Sequence, residues 1–348
     1  MALRFDSQKL YSIESYGSGH INDTFLVNRD QSKPFILQRI NTKIFREAEK
    51  MMCNIELVTQ HIAQQSTSSE NATIQLIYGS NKEIIQWDET GSAWRAMSYI
   101  AGSQTIDTVE NDDSAHEAGR ITGLFHQSLK KLDAQKLYTT LPDFHSLILR
   151  KNQFEDALDK DAFQRAKNIP KELEVAETNI DRLLPYDLAI ANLPKRVTHN
   201  DPKINNILFD KNMKGICMID LDTVMPGSIL HDFGDAIRTS ASKTSEDEVE
   251  TSKAGIQLEF FEAWTSAWLS LTKNMLSPEE KNILPIAPQL LTFIIGLRFL
   301  TDYLNGDIYY KTTYETHNLV RARSQFAMLA DMEKNQAIIH DIIKKHDR

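Results

Sequence analysis

The chain has 348 residues, 41% of them hydrophobic and 25% charged, with a formal net charge of −9. Those fractions fit a globular enzyme long enough for two lobes with a buried core. The acidic balance argues against nucleic acid or an anionic membrane as a partner, though not against a nucleotide whose phosphates are met locally.

Residues 1–6 already carry charge and no apolar core segment, so no signal peptide is evident. Residues 11–29 read as strand, turn, strand, with Gly17-Ser18-Gly19-His20 at the turn. Glycines there either close a hairpin or let the backbone approach a ligand and aim N–H groups at phosphate oxygens. A third strand is expected over residues 34–40. The chain has no Walker-type glycine loop with Lys-Ser or Lys-Thr, which excludes a P-loop enzyme. Between residues 46 and 64, Met51, Met52, Ile55, Val58 and Ile62 recur at helical spacing and form a core-facing stripe. Two further strands are expected near 74–78 and 84–87, and the strand-rich part ends in an apolar run that closes with Gly102. Beyond it the pattern is helical, over 115–132, 144–158 and 171–184, with Pro142, Pro170, Pro185 and Pro194 as punctuation. His116, His126 and His145 lack metal-ligand spacing and read as structural.

The chemistry concentrates in residues 198–222, T-H-N-D-P-K-I-N-N-I-L-F-D-K-N-M-K-G-I-C-M-I-D-L-D. Ile207-Leu208-Phe209 and Ile216-Cys217-Met218-Ile219 flank a turn-rich segment ending in Gly215, the pattern of a β-hairpin. Such a hairpin makes Asn206 and Asp220 neighbours. An amide oxygen beside a carboxylate suits Mg²⁺, which takes oxygen ligands and completes its shell with water and phosphate. Asp201, on the preceding loop, is placed to accept or orient the proton of an attacking hydroxyl, as phosphoryl transfer requires. A rival reading takes His199, Asp201 and His231-Asp232 as a metal-dependent phosphohydrolase site, but the further ligands it needs have no clear candidates. Asp232 and Asp235 either cap a helix or brace the metal loop. Residues 240–252 read as a polar, acidic loop, followed by final helices that include 290–304 and 319–341. The longest apolar run, 290–300, is interrupted by Arg298 and is too short to cross a bilayer. A cation inside that otherwise apolar helix needs a partner, either a polar ligand or an acid such as Asp201. The two cysteines, Cys53 and Cys217, sit among apolar neighbours and read as buried free thiols, with a reducing cytoplasm as the default location.

His199-Asn200-Asp201 with Asn206, and Ile219-Asp220-Leu221-Asp222, resemble the paired signatures of the aminoglycoside phosphotransferase and choline kinase superfamily. Residues 17–25, 35–45 and 296–307 look most like the N-acetylhexosamine 1-kinase group, so the resemblance reaches both halves of the chain. It implies an α+β, protein-kinase-like two-lobed fold: a small antiparallel β-sheet lobe over 1–101 binding nucleotide, and a larger, mainly helical lobe over 102–348 carrying the catalytic and metal loops. It further implies transfer from ATP, with Mg²⁺, to the anomeric 1-hydroxyl of an N-acetylated amino sugar.

On this reading Asp201 takes the hydroxyl proton, and Asn206 and Asp220 hold the metal. Gly17, Ser18 and Gly19 cover the phosphates, and the backbone of Ser98, Tyr99 and Ile100 meets adenine. Such folds place a lysine on the third strand to hold phosphates. Here Gln38 and Arg39 stand there, only one can face the cleft, and Arg39 is favoured as the cation, paired with Glu56 on the next helix. Arg298, Tyr309 and His20 line the acceptor pocket. Another sugar, an aminoglycoside, choline or another alcohol remains an alternative acceptor, with the acidic run 246–250 as a site for a polycation. A nucleotide-binding pseudokinase is a further alternative.

Overall fold

The computed structural model describes residues 1–5, 10–17, 21–30, 32–65 and 73–348. Its N-terminal part is built on strands whose two faces are both apolar. The chain opens with α1 (Ala2–Phe5), β1 (Leu10–Ser15), β2 (Asp23–Arg29), β3 (Phe35–Ile40), α2 (Ala48–Gln65), β4 (Leu76–Ile77), β5 (Gln86–Trp87) and β6 (Ala93–Ser98). All pairings are antiparallel, in the order β1-β2-β3-β6-β4 with β5 also on β6. Alternation along β3 sends Phe35 and Leu37 outward, where they pack with Ala2, Phe5 and Val27 of α1 and β2. Ile36 and Ile40 point inward and join Met51, Met52, Ile55, Val58 and Ile62, the expected stripe of α2, in the main core.

After β6 the chain is largely helical: α3 (Asp112–Leu129), α4 (Leu147–Lys160) and α5 (Pro170–Ala191) lead to β7 (Arg196–Thr198), β8 (Ile207–Phe209), β9 (Gly215–Met218) and β10 (Met225–Gly227). Then follow α6 (Ile229–Ser240), α7 (Leu258–Thr272), α8 (Pro278–Ile283), α9 (Ala287–Leu304), α10 (His317–Lys334) and α11 (Gln336–His346). The architecture is mixed α+β, an N-terminal antiparallel sheet followed by a larger helical part. The connector after β6 is tied to the central hairpin by two backbone bonds between Gln104 and Phe209, of 2.8 and 2.9 Å.

Helix α9 is the buried axis of the helical part: apart from Arg298 and Thr301, all its residues are buried. No helix among the described residues is long and apolar enough to cross a membrane.

Three local expectations change. Pro185 does not end its helix but lies inside α5. The buried stripe Ala176, Ile180, Leu183, Asp187 and Ile190 continues through it at helical spacing, so packing offsets the one hydrogen bond a proline removes. The expected 319–341 helix is two helices, α10 and α11, parted at Asn335, whose Nδ2 donates to the Asp331 carbonyl at 2.8 Å and competes with the backbone there. Cys217 is buried, but Cys53 is exposed, on the face of α2 opposite its stripe, and both are free.

Candidate functional site

The hairpin of residues 207–218 forms as its sequence requires. Ile207 pairs with Met218, and the Ile219 N–H donates to the Asn206 carbonyl at 2.8 Å, which brings Asn206 beside Asp220. Asp220 takes a left-handed backbone, φ 57°, at the exit of the hairpin. Asn206 Nδ2 is engaged by Asp201, with its carbonyl at 2.8 Å and its carboxylate at 3.2 Å. The amide oxygen of Asn206 therefore remains for another partner. Asp201, Asn206 and Asp220 stand together, as the spacing implied.

A dense set of bonds fixes the loop that carries Asp201. The buried carboxylate of Asp232, on α6, accepts from the N–H of His199 at 2.7 Å and of Asn200 at 2.8 Å, and meets His126 Nε2 at 2.9 Å. Asp232 thus braces the loop, and His126 is structural. His199 donates through Nε2 to the Ile219 carbonyl at 2.9 Å, tying the catalytic-type loop to the hairpin's exit. Asn200, also left-handed at φ 63°, donates to the Thr223 carbonyl at 2.9 Å. Gly227 permits this closeness, because a Cβ there would fall 2.3 Å from Thr198 Oγ1 and 2.6 Å from Asn200 Oδ1. With Asp232 and His199 spent in this way, the phosphohydrolase constellation does not assemble. No group of three His, Cys, Asp or Glu suited to a metal occurs among the described residues.

Charge is unevenly shared within the triad. Burial raises the Asp201 carboxyl, but Lys203, 3.2 Å away, together with His199 and Arg238, more than offsets this and holds it below the usual range. Asp201 in turn raises Lys203. Asp220 opens to the cleft yet lies deep among protein atoms. That desolvation, then the carboxylates of Asp222 and Asp201, pushes it up to about 7. The Asp220 carboxylate, which has no ion pair of its own among the described residues, and the free amide oxygen of Asn206 are oxygen donors that fit a hard divalent cation.

The second acid of Ile-Asp-x-Asp has a different place. Asp222 is buried and ion-paired with Arg95 of β6, and accepts from Asn22 Nδ2 at 2.7 Å. Arg95 Nε donates to Gln38 at 2.9 Å, and Gln38 donates to Thr24 at 2.8 Å. A buried polar chain therefore links β2, β3 and β6 to the metal-type loop. On β3 it is Gln38 that faces inward. Arg39 is on the outer, solvent face, paired with Asp23, and is not brought to the cleft. Glu56 is likewise apart from it, accepting from Tyr78 Oη at 2.6 Å.

Of the turn residues, Gly17 is left-handed at φ 77°, whereas Ser18, Gly19 and His20 lie outside the described residues. Tyr16, beside Gly17, meets Tyr99 edge-on at 5.7 Å. The Ser98 N–H donates to the Gln75 carbonyl at 2.8 Å, Ser98 Oγ accepts from the Gln75 N–H at 3.0 Å, and the Ile100 carbonyl accepts from Ser103 Oγ at 2.7 Å. Among the described residues no backbone bond engages Tyr99.

Arg298 projects from α9 into a cage of rings, with Phe144, Tyr309 and Tyr310 at 5.4, 5.8 and 5.6 Å. The loop bearing the tyrosines is held by Asp302, which accepts the N–H groups of Ile308, Tyr309 and Tyr310 at 2.9 to 3.1 Å. Tyr309 is 56% exposed, so its ring remains open to a ligand. Sequence reasoning passed over Lys203, Arg95, Phe144, Tyr310 and Asp302. Lys203 could have been found two residues past Asp201, Asp302 inside the 296–307 stretch and Tyr310 beside Tyr309; Arg95 and Phe144 are distant in sequence and carry no motif. A cavity of about 530 Å³ on the outer sheet face, lined by Phe25, Leu37 and Trp94 among others, contains none of the expected site residues.

A model of the phosphotransferase enzyme family matches residues 12–268 of the chain. Among solved structures, an aminoglycoside phosphotransferase from Alicyclobacillus acidocaldarius is similar over 97% of this chain and 93% of its own, at 11% identity and a TM-score of 0.62. Amicoumacin kinase, in complex with AMP-PNP, Ca²⁺ and Ami, is similar over 90% and 87%, at 14% identity and a TM-score of 0.60. A Plasmodium vivax ethanolamine kinase is similar over 92% and 82%, at 16% identity and a TM-score of 0.58. At such identities the likeness to these structures is one of fold.

Proposed function

The chain belongs to the phosphotransferase enzyme family, and from that premise we propose that it is an ATP- and Mg²⁺-dependent small-molecule kinase acting on the anomeric 1-hydroxyl of an N-acetylhexosamine. The observation that carries the reading is the meeting of Asp201, Asn206 and Asp220 at one end of the central hairpin, on a loop held rigid by Asp232.

In this account Asp201 accepts a hydrogen bond from the acceptor hydroxyl and takes its proton as the oxygen attacks the γ-phosphoryl group. The ion pair with Lys203 keeps Asp201 ionised for that role and puts an ammonium where charge moves onto phosphoryl oxygens. The Asn206 amide oxygen and the Asp220 carboxylate are the residues that would hold Mg²⁺, which supplies neutralisation of the nucleotide phosphates. The free N–H and carbonyl of Tyr99 suit an adenine edge. Gly17, with Ser18 and Gly19, would lie over the phosphates. Arg298 would donate to sugar oxygens, with Tyr309 as a stacking wall and His20 at the rim. The division into a nucleotide lobe over 1–101 and an acceptor lobe over 102–348 belongs to the same reading, as does the cytoplasmic setting expected from two free cysteines.

The direct test is ADP release by purified protein with MgATP and, in turn, N-acetylglucosamine, N-acetylgalactosamine, glucose, galactose, an aminoglycoside, choline and no acceptor. Turnover that requires an N-acetylhexosamine supports the proposal. Turnover only with another acceptor would move the substrate and leave the kinase, and bound nucleotide without turnover would favour the pseudokinase.

A further inference from the structure

The acceptor side holds more positive charge than its surroundings balance. Arg150 of α4 stands on the same aromatic wall as Arg298: its Nη2 donates to the Phe144 carbonyl at 2.6 Å and its Nη1 to Gln153 at 2.9 Å. Its buried Nε has no partner among the described residues. Neither guanidinium is ion-paired with a carboxylate among the described residues. Burial, and after it the proximity of Arg298, push Arg150 down to about 10, which marks the two cations as neighbours.

Asp143 lies near Arg150 without pairing with it, and the other acids that might have balanced the two guanidiniums are committed elsewhere. Asp201 is paired with Lys203, Glu246 with Arg238, Asp247 with His317, and Glu250 with Lys253. The acidic run 246–250, the one stretch that could have received a polycation, is thus largely spent on internal pairs.

Resting on the sugar-kinase reading, we propose that Arg150 is a specificity-determining residue which, beside Arg298, makes the acceptor pocket reject alcohols bearing an ammonium group and admit N-acylated sugars. Acylation does two things at once. It removes the charge that the two guanidiniums repel, and it offers a carbonyl oxygen to a guanidinium N–H. Rejection by a like charge is a repulsive element of specificity, acting without any new contact to the favoured substrate.

The test compares kcat/KM for N-acetylglucosamine and glucosamine near neutral pH, where the free amine is largely charged, in wild type, Arg150→Gln and Arg150→Lys, with choline and ethanolamine as further cations. Wild type is expected to favour the N-acylated sugar strongly. Arg150→Gln should shrink that preference roughly tenfold, the size of one partly screened like-charge contact, while Arg150→Lys keeps it. An unchanged preference in an Arg150→Gln protein that melts like wild type would overturn the proposal. So would wild-type turnover of glucosamine, choline or ethanolamine on a par with the acylated sugar, an outcome that leaves the kinase itself standing. Turnover of only another uncharged sugar would defeat the N-acetylhexosamine assignment and uphold the charge rule. If calorimetry with MgAMP-PNP finds no acceptor bound and none is turned over, both fall.

Discussion

Gln38 and Arg39 are adjacent on β3 and part to opposite faces, one into the buried chain with Arg95, the other to solvent with Asp23. The sequence could say that only one faces the cleft, but not which, because Phe35, Ile36 and Leu37 make both faces of that strand apolar. Period two decides orientation only where one face is polar. The Arg39–Asp23 pair is exposed, and such pairs contribute about 0–1 kcal/mol. Arg39→Ala should therefore leave the KM for ATP within about twofold of wild type, the scatter of a surface substitution. A rise of tenfold or more in steady-state kinetics would mean that the guanidinium reaches the phosphates after all. Asp201, Asn206 and Asp220 were legible because a hairpin turns spacing into proximity. Arg95 and Arg150 were not, since only the folded chain brings them beside Asp222 and Arg298.

At the scale of elements, the buried Asp232 carboxylate does what no regular structure does for the loop before Pro202: it satisfies two consecutive backbone N–H groups. Replacing it by alanine leaves both donors and His126 without an acceptor in a buried place. Asp232→Ala should lower unfolding free energy in urea by about 3–5 kcal/mol, the range for stripping a buried hydrogen-bonded charge from its partners. A loss under about 1 kcal/mol would show that the loop holds its form without the brace. The sequence raised this bracing role only as one of two possibilities, because an Asp in the first turn of a helix is equally a cap. Helix extents failed for a related reason. Pro185 and Asn335 act locally, and whether the helix continues is decided by which face is buried: α5 runs on through its proline, while α10 stops at the asparagine.

For the molecule as a whole, the sheet and the helical part share one hydrophobic core, and two imidazoles lie within the helical part near Asn200. His145 and His231 stack edge-on at 5.2 Å, and burial first of all pushes each down to about 3. Their folded values lie below the unfolded one, so their stability contribution is present above about pH 6.5 and is lost as pH falls toward about 3. At pH 5 each withheld proton costs about 2 kcal/mol. His145→Gln keeps an N–H for the Asn200 carbonyl but cannot titrate. Its unfolding free energy should fall by about 2 kcal/mol less than that of wild type between pH 7.5 and pH 5, a difference in which the other titrating groups cancel. Equal losses would mean that His145 is protonated in the folded protein. The α+β order was plain in the sequence from the shift of hydrophobic period near Gly102. The shared core was not, because periodicity assigns faces to elements but does not say which faces meet.

The measurement closest to the central claim is transfer of the γ-phosphoryl group from MgATP to the acceptor in a single turnover by Asp201→Asn, with MgAMP-PNP binding measured on the same protein. The account predicts a rate lower by roughly 10²- to 10⁴-fold, the loss of a positioned base, with nucleotide affinity preserved. Near-normal transfer would remove Asp201 from the chemistry, and a rate that falls only in step with lost nucleotide binding would make it a structural residue of the cleft.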